Sequence, residues 1–332
     1  MDRSKPYYPR LGAALAHQKA DRIPNFDVFI GARSASHILG RETAENSWSM
    51  APETAAELCR KIGQDAMVCS LGPGIPEGSV QTIEDLRNLA LPEPDSWKAK
   101  IDAYCAVAAE GRRRGTGDVG VCARIGGPLT QTYMACGPIP IQSFMLYLYD
   151  KPDLIAAMME RFVDYSLSII AAIRNSDFQF YYIGDDLSST TGPLISPGMI
   201  AQVWAPQYER IIRAAQETGK PIVNHCCGDQ SPVLPYLLDW GVDATHPLQP
   251  GANDIYAVRE RCGNRLTLIG NMDIAKALSF GTEEEVAEET IEHILRLGKD
   301  GSYVVCSSHS IIDSVIPENF LAMVRTAKEY RW

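Results

Sequence analysis

A chain of 332 residues with a net charge of -10, 45% hydrophobic and 22% charged residues has the composition of a soluble globular protein, not of a disordered or fibrous one. The acidity excludes nucleic acid or an anionic membrane as the main partner, and no apolar stretch is long enough to span a bilayer or act as a secretory signal. The nine cysteines are scattered and odd in number, in a chain too large to need disulfide staples, which fits reduced thiols in a cytoplasm.

Residues 1–22 read as an N-terminal arm with a short helix, Leu11 to Lys19. Arg22 to Phe29 reads as a first strand on which Asn25 and Asp27 share a face. Apolar spacing at Ala55, Leu58 and Ile62 predicts a helix over 52–62, then a strand from Asp65 to Ser70 and a Gly/Pro loop from Gly72 to Gly78. After an excursion through Pro92 and Pro94, Ser96 is placed to cap a helix reaching about Arg113. Val119 to Ile125 is a β-branched run broken by Gly126-Gly127-Pro128. Pro152 opens a long helix to about Ile173, and Phe178 to Ile183 is an aromatic strand ending in Gly184-Asp185-Asp186. Ser196-Pro197 starts a helix to about Thr218. Strands at 221–226, Val242 to His246, Leu266 to Gly270 and Ser302 to Cys306 then alternate with helices near 231–238, near 253–262, from Thr282 and from about Glu318.

About eight strands thus alternate with helices, with no linker and no Gly-x-Gly-x-x-Gly turn. The pattern predicts an α/β fold, a single (β/α)8 TIM barrel over residues 1–332. Asp27, Asp185, Asp186, His225, Cys227, His246, Asn271 and Cys306 fall at or just beyond strand C-termini, the face on which such barrels carry their chemistry.

Within Pro221-Ile-Val-Asn-His-Cys-Cys-Gly-Asp229, an apolar run ends abruptly in His225, Cys226, Cys227 and a turn glycine. His225 and Cys227, spaced i, i+2, leave an extended segment on one face. A third ligand is expected from Cys306, which also ends an apolar run. A His/Cys/Cys set with one open position describes a catalytic zinc site; the alternative is buried cysteines packing as small hydrophobes. Asp185 or Asp186 could orient a ligand, supply a fourth zinc bond or simply cap the loop. His246 and His309 are candidates for touching substrate or for hydrogen bonding within loops. Cys226 should point into the core, and Cys59, Cys69, Cys105, Cys122, Cys136 and Cys262 lack ligand spacing and read as packing.

Gly184-Asp185-Asp186 with Gly192-Pro-Leu-Ile-Ser-Pro197, Gly241 to Pro250, and Leu268-Ile-Gly-Asn-Met-Asp273 resemble the uroporphyrinogen decarboxylase superfamily, over roughly residues 120–330 and poorly in the N-terminal third. Within it, His225-x-Cys227 plus Cys306 looks like the zinc motif of the cobalamin-dependent methyltransferases. The resemblance implies a zinc enzyme moving a methyl group between a methylcobalamin-carrying corrinoid protein and a small thiol, folate or methoxylated aromatic, the last by O-demethylation. His225, Cys227 and Cys306 would hold the metal, Asp185, Asp186 and His246 would be catalytic, and Asn271 and His309 would lie on the cofactor side. Decarboxylases of the superfamily, which are metal-free, gather a polyanionic tetrapyrrole with an Arg-rich N-terminal signature. Here Val28-Phe-Ile-Gly-Ala-Arg-Ser34 offers only Arg33, which disfavours decarboxylation. The alternatives are a decarboxylase-like lyase and a non-catalytic corrinoid- or tetrapyrrole-binding protein.

Overall fold

In the computed structural model, which describes residues 9–72, 74–115 and 119–331, seven parallel strands are hydrogen-bonded in chain order. They are β1 (Ala66–Leu71), β2 (Gly120–Gly126), β3 (Phe180–Gly184), β4 (Ile222–His225), β5 (Ala244–His246), β6 (Thr267–Ile269) and β7 (Tyr303–Val304). The period-2 alternation sorts each strand between two cores. Val121, Ala123 and Ile125 of β2 and Tyr181 and Ile183 of β3 pack under the surrounding helices, whereas Val68, Cys122, Phe180, Tyr182, Val223, Ala244, Ile269 and Val304 fill the lumen. Burying each such aliphatic side chain contributes about 1.5–3 kcal/mol.

The eighth position is taken by the segment around Asn25, which pairs with Val305 in a single parallel bridge. Phe26 N donates to Val305 O at 3.1 Å and Val305 N to Pro24 O at 3.0 Å. Towards β1 a side chain replaces the ladder: Gln64 Oε1 accepts from Asp27 N at 3.0 Å while its Nε2 donates to Asp27 O and Ala66 O at 3.2 and 2.8 Å. The expected first strand, Arg22 to Phe29, is therefore an extended segment and not a laddered strand. The expected helix over Leu11 to Lys19 runs instead over Pro9–Leu15. It closes the N-terminal end of the lumen, where Leu11, Ala14 and Leu15 are buried against the strands.

Helix boundaries follow proline and glycine. Pro52–Ile62, Pro94–Arg114, Pro152–Ile173 and Pro317–Glu329 each begin with proline in the first turn, where its missing N–H costs nothing. Ser96 is accordingly inside its helix and not its cap; its Oγ donates to Glu93 O at 2.6 Å. Thr282 caps Glu283–Leu297 in a reciprocal box with Glu285. The helix expected from Ser196 to Thr218 forms from Pro197 to Gln216, but Ile200–Trp204 winds as a π-turn, which turns Trp204 towards the end of β3.

Just before β1, the buried Asp65 accepts from Leu11 N at 3.1 Å, with Arg10 and Arg22 nitrogens at 3.8 and 3.9 Å. Burial pushes its carboxyl up to about 6 against the pull of both arginines. Because this lies above its unfolded value, the folded chain keeps a proton that the unfolded chain has lost between about pH 4 and pH 6. The contribution of Asp65 to stability is therefore greatest below about pH 4 and declines as pH rises to about 6. In urea titrations, wild type is expected to lose on the order of 3 kcal/mol relative to Asp65→Asn across that window.

Candidate functional site

At the C-terminal ends of β3, β4 and β5, Gly184, His225 and His246 lie side by side in the strand register. The two imidazoles meet edge to edge, Nδ1 to Nδ1 at 2.7 Å, so one of these nitrogens carries the proton and the other accepts it. Tyr182, one step down the lumen, joins the pair. Its hydroxyl is 2.8 Å from His246 Nδ1, and burial pushes its pKa well above the usual phenol range, so it stays a neutral hydroxyl that can donate or accept there. Burial, with His225 and His309 nearby, also pushes His246 well below the usual imidazole range, so its ring is neutral.

His225 Nε2 is turned to Cys227 Sγ at 3.4 Å and Asp186 Oδ1 at 3.3 Å. Among the described residues, Asp186, His225 and Cys227 form the group of three whose ligand atoms lie within 4.8 Å of one another. Burial pushes the Asp186 carboxyl up, but the His225 hydrogen bond and charge and the Cys227 N–H, 2.9 Å from Oδ1, outweigh it and hold Asp186 below the usual carboxylate range. Burial and the Asp186 charge push the Cys227 thiol up. The turn after Cys227 needs glycine: Gly228 has φ +69°, and a Cβ there would lie 2.2 Å from Ser189 O of the short hairpin Ser188–Ser189/Gly192–Pro193.

Nitrogen, sulfur and oxygen donors converging from one strand end and its neighbour suit zinc. The hydrogen bond between His225 Nδ1 and His246 Nδ1 is the kind of outer contact that fixes a ligating ring. His246→Ala is expected to weaken metal binding about 10- to 100-fold, read by competition with a chromogenic chelator, and His246→Gln, which keeps an acceptor, to weaken it less.

The other expected residues are placed as follows. Cys306 lies in the lumen core beyond β7, outside the group of three; its Sγ is 3.5 Å from Asp27 Oδ1, which also accepts from Ser307 N at 3.1 Å. Burial and the Asp27 charge push this thiol well up. Asp185 turns away from Asp186: its carboxylate accepts from Leu129 N at 3.2 Å, Thr130 N at 2.7 Å and Trp204 Nε1 at 2.9 Å, binding the N-terminus of helix Pro128–Ala135. Asn271 is tied outside the lumen, to His293 Nε2 at 2.9 Å and Leu248 O at 2.6 Å. His309 approaches the cluster, its ring 6.4 Å from that of His225. Cys226 is buried in the outer core, as are Cys59, Cys69, Cys105, Cys136 and Cys262, while Cys122 lies in the lumen. Sequence reasoning passed over Tyr182 and Arg124. The signal was there in the inward phase of two buried strands, Phe180-Tyr-Tyr182 and Cys122-Ala-Arg124.

The sequence family described as uroporphyrinogen decarboxylase (URO-D) matches residues 62–330, and the chain belongs to that family. Among its relatives is the methylated-thiol–coenzyme M methyltransferase of Methanosarcina mazei, 23% identical over 244 residues. That match covers 72% of this chain and 62% of the relative, so the chain spans under two thirds of that protein's length. The uroporphyrinogen decarboxylase of Shewanella loihica is 23% identical over 268 residues, covering 76% of this chain and 70% of that one. A solved methyltransferase structure from Methanosarcina mazei superposes with a TM-score of 0.71 over 98% of this chain and 99% of its own, at 19% identity, which establishes the shared barrel fold.

Proposed function

We propose that this protein is a zinc-dependent methyltransferase that moves a methyl group between a corrinoid protein and a small thiol. The observation that carries the reading is the convergence of Asp186, His225 and Cys227 within 4.8 Å at the barrel mouth, with His246 and Tyr182 fixing the His225 ring. His225, Cys227 and Cys306 are the proposed ligands, with Asp186 beside them. The likeness to the methylated-thiol–coenzyme M methyltransferase supports the same class of reaction.

Zinc supplies a Lewis acid that favours the thiolate form of a bound thiol. The acceptor thiol would lose its S–H proton to solvent and gain an S–C bond as the methyl group leaves the corrinoid donor, which would keep the bonding electron pair. Tyr182 and His246 keep the His225 ring in place throughout, and Cys227 N–H holds Asp186 Oδ1 towards the cluster. His309 is proposed to act at the cofactor side, and Asp185 to hold the loop that carries Asp186, while Asn271, tied outside the lumen, supports the end of β6.

The second reading, a decarboxylase of uroporphyrinogen, is the activity named for several relatives. It asks for many converging cations. Arg33 instead donates to Asp313 O at 2.7 Å at the exposed surface. The purified protein is expected to carry about one zinc per chain and, on incubation with methylcobalamin and a thiol, to give the methyl thioether. Carbon dioxide release from uroporphyrinogen, with no transfer to any thiol, would reverse the assignment.

A further inference from the structure

The turn that carries Cys227 takes its shape from what surrounds it. Its five consecutive backbone N–H groups, Cys226 to Gln230, each donate outside the turn. Cys226 N reaches His246 O at 3.2 Å, Cys227 N Asp186 Oδ1 at 2.9 Å and Gly228 N Gln249 Oε1 at 3.3 Å. Asp229 N reaches Ser189 O at 3.0 Å and Gln230 N Asn253 Oδ1 at 3.0 Å. Buried backbone donors must find partners, and here the partners come from three neighbouring strand ends and their loops.

Two side-chain amides join these contacts into one frame. Gln230 is fully buried. Its Nε2 donates to Cys226 O and to His246 O, both at 2.8 Å, and its Oε1 accepts from Thr245 Oγ1 at 2.5 Å. Two carbonyls at one end and a hydroxyl at the other fix which way this amide points. Gln230 thus rivets the residue after His225 to the end of β5, where His246 stands. Asn253 grips the far side of the turn. Its Nδ2 donates to Gly228 O at 2.8 Å and to Gln249 O at 3.1 Å, while its Oδ1 takes the Gln230 N–H. Both amides are uncharged, so they hold the turn without adding charge beside His225, Cys227 and Asp186.

We propose that Gln230 and Asn253 are positioning residues, an amide clamp that holds the Cys227 turn against β5 so that His225 Nε2 and Cys227 Sγ stand together before any metal arrives. The clamp rests on the hydrogen bonds alone; its service to a metal rests on the zinc reading. Donor sets work when buried partners hold them within about 0.5 Å of the productive geometry, and loss of such partners costs about 10- to 100-fold in metal affinity.

Cobalt(II) is the probe, because its visible absorption reports the donor set and its geometry. Gln230→Met fills a similar volume without hydrogen bonds. Asn253→Asp keeps the acceptor for Gln230 N–H and loses both donors. Each variant is expected to bind cobalt about 10- to 100-fold more weakly than wild type, with shifted and weakened d–d bands, under conditions where urea titration shows it folded. A merely structural role would lower the urea midpoint and leave the cobalt affinity and spectrum of the folded chain unchanged. That result in both variants would overturn the proposal. Asn253 is only partly buried, so Asn253→Asp decides alone if Gln230→Met does not fold.

Hydrogen exchange in the metal-free full chain, followed by mass spectrometry, separates the clamp from the metal. The amides of Cys227 to Gln230 should be protected in wild type and exchange at least about 10-fold faster in the variants. Unprotected amides in metal-free wild type would overturn the clamp. Protection that the variants lose, with neither cobalt nor zinc bound by wild type, would leave the clamp standing and remove the metal reading.

Discussion

Cys227→Ser and His225→Ala are expected to drop zinc from about one per chain to under about a tenth, and to cut methyl transfer by about 1,000-fold or more, because the three-donor constellation loses a member. Both variants should keep the wild-type far-UV circular dichroism, since the site lies at the rim of a large core that does not depend on it. Plasma emission spectrometry after dialysis measures the metal directly, and full occupancy in both variants would remove the cluster from metal binding. Cys306→Ala and Asp186→Asn resolve the third donor. Loss of most of the zinc is expected from Cys306→Ala, whose sulfur enters the lumen from the end of β7. Full retention there, with loss in Asp186→Asn, would assign the third position to the carboxylate that already stands 3.3 Å from His225 Nε2.

Asp185→Ala should be the most destabilising single change at the mouth, on the order of 3–5 kcal/mol. Its buried carboxylate answers three donors at once, Leu129 N, Thr130 N and Trp204 Nε1, and all three would be left without a partner. The approach is close enough that a Cβ on Gly127 would meet Asp185 Cβ and Cγ at 2.3 Å, so Gly127→Ala should act in the same direction. Against a typical total of about 5–15 kcal/mol, such a loss would move the urea midpoint far down at an unchanged slope. Asp185→Asn, which keeps one acceptor oxygen, should cost less. A midpoint within error of wild type for Asp185→Ala would show that the helix terminus is held by other contacts.

The fold was legible where local rules and tertiary structure agree. Pro152–Ile173 and Pro52–Ile62 have the expected boundaries because proline and apolar period mark the same start and face. Strand ends were legible because buried parallel strands stop at Gly184 or at the first polar residue, His225 or His246. The segment Arg22 to Phe29 was misread as a full strand because its pattern cannot reveal that Gln64, far along the chain, stands in for a backbone partner. The π-turn at Ile200–Trp204 has no periodic signature either; the indole N–H of its last residue reaches Asp185, a contact far from it in the local pattern. Of the candidate site, His225 and Cys227 were readable from spacing alone. The pairing of His225 with His246 was not, since it depends on the register of two strands separated by a helix. Asp185 and Asp186 are adjacent in sequence yet diverge, one into a helix terminus and one towards the cluster, and only the turn geometry separates them.

The short helix Pro9–Leu15 has a kinetic consequence. With Leu11, Ala14 and Leu15 seated under a lumen filled by Phe26, Val68 and Phe180, the described residues stopper the barrel at its far end. On the methyl-transfer reading proposed above, both reactants would use the opening at the His225 end. A small reactant would then have to be aboard before a bulky one docks across the entrance, and the bulky one would have to leave before the small product can escape. Steady-state patterns should accordingly be compulsory-order, with the larger partner acting as a dead-end inhibitor at high concentration.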